Sequence, residues 1–186
     1  MLKTLKEDKQ SIGADAQTQA FLHLSLECDR PWAGGLRANL RGVDAISLGR
    51  GEERRVIRRQ EEELSILRIE IPDGRMSSEH ARMEKSLGQW GIKDLGSSNG
   101  TLVNGQRVAN AAVVDGTVVT VGRSFFVFRE RDLDEDSYPD MDASDMAKRL
   151  PGLRTFSAAL GRDFDKLLQV VPSHLDILVL GQTGTG

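Results

Sequence analysis

Hydrophobic and polar residues begin to alternate at residue 21. In FLHLSLEC, Phe21, His23, Ser25 and Glu27 fall on one side and Leu22, Leu24, Leu26 and Cys28 on the other. That period of two is the mark of a half-buried strand. Short β-favouring runs follow at close spacing: DAISLG, RRVIRR, LSILRIEI, HARMEK, WGIKDL, TLVNG, QRVAN, TVVTVG and FFVFRE. Between them lie Asp73-Gly74, Asn99-Gly100, Asn104-Gly105 and Asp115-Gly116, pairs that tolerate the positive φ of tight turns. Roughly ten strands without intervening helices predict an all-β sandwich or barrel over residues 20–131. Within it, Trp90 opens a strand as a core residue and Cys28 reads as a small core residue. Arg54, Arg55, Arg58 and Arg59 read as a solvated strand face.

The pattern is different on either side. Residues 1–19 are polar and aperiodic, and read as a flexible leader. Seven carboxylates fall between Asp132 and Asp145 with one proline, so 132–150 reads as an exposed acidic linker. In residues 151–186 a helical period appears: Phe156, Leu160, Phe164, Leu167, Leu168 and Val171 recur at spacings of three and four. Gly161 weakens this helix and Pro172 ends it. LDILVLG then reads as a buried strand, and the last residues are GQTGTG.

Composition narrows the function classes. With 28% charged residues, 39% hydrophobic ones and a net charge of -3, the chain lacks the basic excess expected of a nucleic-acid binder. No apolar run reaches the roughly 20 residues of a membrane span, and the N-terminal lysines precede no apolar stretch of the secretory kind. One cysteine excludes an internal disulfide and cannot build a metal site alone. These features predict a cytoplasmic protein with no membrane partner.

The candidate chemistry lies at strand ends. LGRGEERR offers Gly49 and the donor fork of Arg50; GRMSSEH offers the hydroxyls of Ser77 and Ser78 ahead of His80; DLGSSNGT offers Ser97, Ser98, Asn99 and Gly100. Gly-Arg, then Ser-x-x-His, then Ser-x-Asn-Gly-Thr with a trailing Asn-Gly resembles the forkhead-associated (FHA) domain over residues 20–131. The resemblance implies a β-sandwich of about eleven strands whose loops bind phosphothreonine peptides without catalysis. It implies that Arg50 and Ser77 grip the phosphate, and that Ser78 touches the phosphate or the peptide backbone. Ser98 adds a contact near the phosphothreonine, and Asn99 bonds the peptide main chain. Gly49, His80 and Gly100 would shape the loops. A phosphothreonine carries roughly -1.5 to -2 charges, which suits an arginine fork. Departures are visible: Ser78 stands where the family often has arginine or asparagine, RRQEEE lengthens the hairpin before Ser77, and Glu52 and Glu53 oppose an anion that Arg54 and Arg55 would offset.

The C-terminus carries a second motif. A buried strand leading into Gly181-Gln182-Thr183-Gly184-Thr185-Gly186 is the opening of a phosphate-binding loop. The lysine and hydroxyl that would follow are not among the 186 residues, so no ATP hydrolysis is expected of this fragment. FSAALGRDFDKLLQVVPSHLDILVLGQTGTG resembles the start of the AAA+ domain of sigma-54-dependent bacterial activators, with Gln182 in place of a glutamate. The resemblance implies the sensory front of a longer regulator, cut inside its ATPase domain. ATP and Mg would then belong to the complete domain, and sigma-54 RNA polymerase and DNA to its missing parts. The expected partner of this chain is a phosphothreonine-containing protein in a Ser/Thr kinase pathway; the alternative is phosphate-independent docking through the same loops.

Overall fold

The computed structural model describes residues 18–132, 139–148, 151–173 and 178. Thirteen strands form two sheets among these residues. One contains β1 (Thr18–Glu27), β2 (Leu36–Asn39), β8 (Thr101–Val103), β9 (Gln106–Val108), β11 (Val118–Val121), β12 (Ser124–Asp132) and β13 (Met141–Asp142), in the order β13-β2-β1-β12-β11-β8-β9. The other contains β3 (Ala45–Arg50), β4 (Arg55–Glu61), β5 (Leu64–Ile71), β6 (Ala81–Ser86), β7 (Gln89–Asp94) and β10 (Asn110–Val113), in the order β10-β7-β6-β3-β5-β4. Every described pairing is antiparallel except β3 with β5. Because β3 and β5 run together, the loop from Arg50 to Arg55 must cross β5 to reach β4 at the sheet edge.

The alternation explains the core. Leu67, Ile69 and Ile71 of β5 point inward and are buried, while Arg68 and Glu70 point outward. Leu22, Leu24, Val119, Val121, Phe126 and Phe128 meet them from the opposite sheet. Each such side chain contributes about 1.5–3 kcal/mol on burial. Trp90 lies in this core as expected, 6.2 Å from Phe128. The tight turns also follow the residues: Asn104 and Gly105 take φ of 49° and 81°, and Leu87 and Gly88 do the same without an Asn-Gly signal.

Three expectations are corrected. The alternation in β1 breaks at a bulge between Leu24 and Leu26, because one extra residue reverses the faces that follow. Leu26 and Cys28 are therefore exposed, and Glu27 is buried instead. Secondly, Arg54 is not on the solvated face, its side chain being only 10% exposed, whereas Arg55, Arg58 and Arg59 are exposed as expected. Arg54 pairs with Glu27 and Asp142, and Arg58 with Asp140.

Thirdly, the acidic stretch is not wholly exposed. Met141 and Asp142 add β13 beside β2, and Met141 and Met146 are buried. Asp142 caps the short helix α1 (Ala143–Ala147) through a capping box with Asp145. Helix α2 spans Ala158–Val170 with Ser157 as its N-cap, so Phe156 precedes the helix that its spacing had suggested. The proposed leader lies outside the described residues apart from Thr18 and Gln19. The strand LDILVLG and the loop Gly181–Gly186 also lie outside them, apart from an exposed Leu178. No described helix is long and apolar enough to cross a membrane.

Candidate functional site

Three loops meet at one end of the sandwich. Arg50 closes β3, and its amide donates to the Ser77 carbonyl at 2.9 Å. A trans peptide holds C=O and N–H on opposite sides, so the Ser78 N–H points away from that contact. The Ser98 amide donates to Ser77 Oγ at 3.2 Å, and Asn99 Nδ2 donates to the Arg75 carbonyl at 2.7 Å. Ser77 Oγ, with one acceptor site filled, keeps its own proton to give. The Arg50 side chain is exposed; no hydrogen bond or ion pair holds its guanidinium among the described residues. Arg50, Ser77, Ser78, Ser98 and Asn99 are thus brought together through their loops.

His80 is the internal strut. It is completely buried, accepts the Ser77 amide on Nδ1 at 3.0 Å, and contacts the Gly100 carbonyl through Nε2 at 3.1 Å. The first bond makes Nδ1 the acceptor, so Nε2 carries the proton that it donates to Gly100. Gly49 is needed for a different reason: a Cβ there would lie 1.9 Å from the Ser78 carbonyl oxygen. Gly100 takes φ of 79°, in the left-handed region.

The turn that presents Ser98 and Asn99 is organised by Asp94. Its carboxylate accepts from Ser97 Oγ, Thr101 Oγ1 and the amides of Gly96 and Ser97. Burial pushes its pKa up, but the Ser97 and Thr101 hydroxyls and these amides outweigh burial and hold it at about 2. Ser97 Oγ in turn accepts the Gly100 amide at 2.9 Å.

The family model for the FHA domain matches residues 46–122, which span all of these loops. The chain carries an FHA domain. A relative in Arabidopsis thaliana, FHA domain-containing protein At4g14490, is 44% identical over 57 residues, 29% of this chain and 15% of that protein. The ABC transporter ATP-binding/permease protein Rv1747 of Mycobacterium tuberculosis is 36% identical over 125 residues, 63% of this chain and 14% of that protein. The chain therefore spans about a seventh of the length of these two relatives. The solution structure of an FHA domain from a hypothetical protein of Arabidopsis thaliana is 26% identical with a TM-score of 0.47, covering 69% of this chain and 99% of that one.

Around the FHA loops the charges differ from the sequence expectation. Arg55 does pair with Glu53, at the expected place. Arg54 does not offset the glutamates near the site, because its guanidinium turns to Glu27 and Asp142. Two contributors escaped the sequence reading. Arg68 donates to the Ser78 carbonyl at 3.1 Å and to Glu70 at 2.7 Å, propping the Ser77–Ser78 loop from β5. Asp94 is the second, organising the hydroxyl-carboxylate turn just described. Asp94 could have been found from Asp-Leu-Gly-Ser, an acceptor placed before small turn residues, whereas nothing local marks Arg68.

Proposed function

We propose that this FHA domain binds phosphothreonine-containing peptides and acts as the sensory part of a bacterial sigma-54-dependent regulator within Ser/Thr kinase signalling. The observation that carries the first half is the convergence on Ser77. Arg50 reaches it through a backbone bond, the Ser98 amide by donating to the Ser77 Oγ, and Asn99 reaches the same loop by donating to the Arg75 carbonyl. That arrangement offers a phosphate the exposed guanidinium of Arg50, one hydroxyl and the Ser78 amide. The Asn99 amide stays beside the path of a peptide main chain. Each hydrogen bond to a charged group contributes about 1.5–3 kcal/mol. Less the cost of ordering a peptide, these sum to roughly micromolar affinity, about -8 kcal/mol.

The second half of the reading is supported by the sequence from FSAALGRDFDK to GQTGTG. There Gly181, Gln182, Thr183, Gly184, Thr185 and Gly186 match the opening of a nucleotide loop in an AAA+ domain. In a complete protein, phosphopeptide recognition would then govern an ATPase that acts on sigma-54 RNA polymerase.

The test is fluorescence anisotropy with matched peptides bearing threonine or phosphothreonine. The expected result is binding of the phosphorylated peptide alone, weakened about 10- to 100-fold by Arg50→Ala. Equal binding of both peptides would sink the proposal in favour of phosphate-independent docking.

A further inference from the structure

The loop that carries Arg50 has a second anchored end. Arg54, four residue steps away, has a side chain only 10% exposed. It donates to Glu27 at 2.8 Å, to the carbonyls of Gly34 and Ala33 at 2.8 and 3.0 Å, and to Asp142 at 2.7 and 3.1 Å. Arg58 forks onto Asp140 at 2.8 and 3.0 Å and also reaches the Asn39 carbonyl. Arg37 holds the same segment further along, through the carbonyls of Pro139 and Phe156. Three arginines of the sandwich thus fasten Pro139, Asp140, Asp142 and Phe156 across the β2 edge.

Little slack separates the two ends. Fully extended, four residue steps reach at most about 14 Å. The chain is also held one step after Arg50: the Gly51 amide donates to the Ile71 carbonyl at 3.1 Å, and a Cβ on Gly51 would lie 2.8 Å from Glu70 Cβ. Ordering Arg50 around an anion therefore restricts the chain that sets Arg54, and a docked Asp142 restricts the chain that sets Arg50.

We propose that the β3–β4 loop is a relay: occupation of the phosphate site and docking of residues 139–148 on the sandwich strengthen each other through Arg50 and Arg54. The relay rests on the phosphopeptide reading of the site. Its direction follows from entropy, because whichever end is ordered first lowers the ordering cost at the other. The coupling must be reciprocal, the same factor appearing in both equilibria. The output is a change in how firmly the segment leading to α2 is held.

The test alters the acidic side of the clamp, since removing Arg54 would leave the buried Glu27 with Arg30 as its one remaining arginine among the described residues. Asp140→Asn with Asp142→Asn leaves Glu27 paired with Arg54 and keeps a good cap residue at α1. In the full chain, hydrogen exchange of residues 139–148 is followed with and without a capped, alanine-rich phosphothreonine peptide, and the peptide affinity of both proteins is measured. The relay predicts that saturating peptide slows exchange in the wild type about fivefold or more. It predicts a matching loss of peptide affinity in the double variant. Tight peptide binding that is equal in both proteins, with exchange unchanged, overturns the relay and leaves the phosphopeptide reading intact. Failure of the wild type to bind the peptide overturns both.

Discussion

The carbonyl oxygen of Ser78 occupies the place where a side chain on Gly49 would begin, 1.9 Å from its ideal Cβ. The conflict is with backbone, which cannot swing aside as a side chain tip can. Gly49→Ala must therefore lift the Ser77–Ser78 loop or bend β3. The expected cost is about 2–3 kcal/mol, as for an overpacked core. It is measured as a lower urea midpoint at unchanged slope. A variant as stable as the wild type would show that the loop has room to move.

How much of this was legible in the chain depends on how local each cause is. Gly49-Arg50, Ser77, His80 and Asn99-Gly100 could be read because their order and spacing resemble the FHA pattern and because turn chemistry is set by neighbouring residues. The sandwich followed from short alternating runs. The bulge after Leu24 could not be read, since a constant period assumes a constant register, and it exchanged the fates of Glu27 and Cys28. The clamp was hidden for another reason. Arg58 and Asp140 are 82 positions apart, and in the sequence each looks like an ordinary surface charge. β2 and β10 were missed because each is short and brings little alternation of its own.

Asn99 joins its loop to Arg75 by one exposed side-chain bond of 2.7 Å. An exposed neutral hydrogen bond contributes about 0.5–1.5 kcal/mol net. Asn99→Ala is expected to lower the unfolding free energy by no more than that, while weakening phosphopeptide binding about tenfold or more through loss of its amide. Paired denaturation and anisotropy measurements separate the two effects. A stability loss of several kcal/mol with unchanged binding would make Asn99 a purely structural residue.

Asp94 offers a sharper stability prediction. It accepts two hydroxyl and two amide hydrogen bonds, and Asp94→Ala would leave those donors without it. The expected loss is about 2–3 kcal/mol, with faster hydrogen exchange confined first to residues 95–101. The pH sign follows from its pKa, lowered from 3.8 to about 2. Its contribution is complete above the ordinary carboxylate value and disappears as pH falls through about 2. Carboxyl chemical shifts titrating near 4 would contradict this arrangement.

His23 sets the pH behaviour at milder acidity. It lies half-buried on β1 opposite Arg37 in β2. Burial first, then the Arg37 and Arg131 charges, lower its pKa from 6.5 to about 4. The folded protein thus keeps the ring neutral where the unfolded chain protonates it. Between those two values the unfolded state binds more protons, so stability rises with pH across that window. The contribution is complete above about pH 6.5 and declines as pH falls towards 4. Because the ring is partly solvated, the expected swing is only about 1–2 kcal/mol. His23→Gln removes the titration, so the difference in unfolding free energy between wild type and variant should move by that amount between neutral pH and about pH 4.5, in favour of the variant. Parallel stability profiles would mean that the imidazole accepts its proton as readily in the folded sheet as in the unfolded chain.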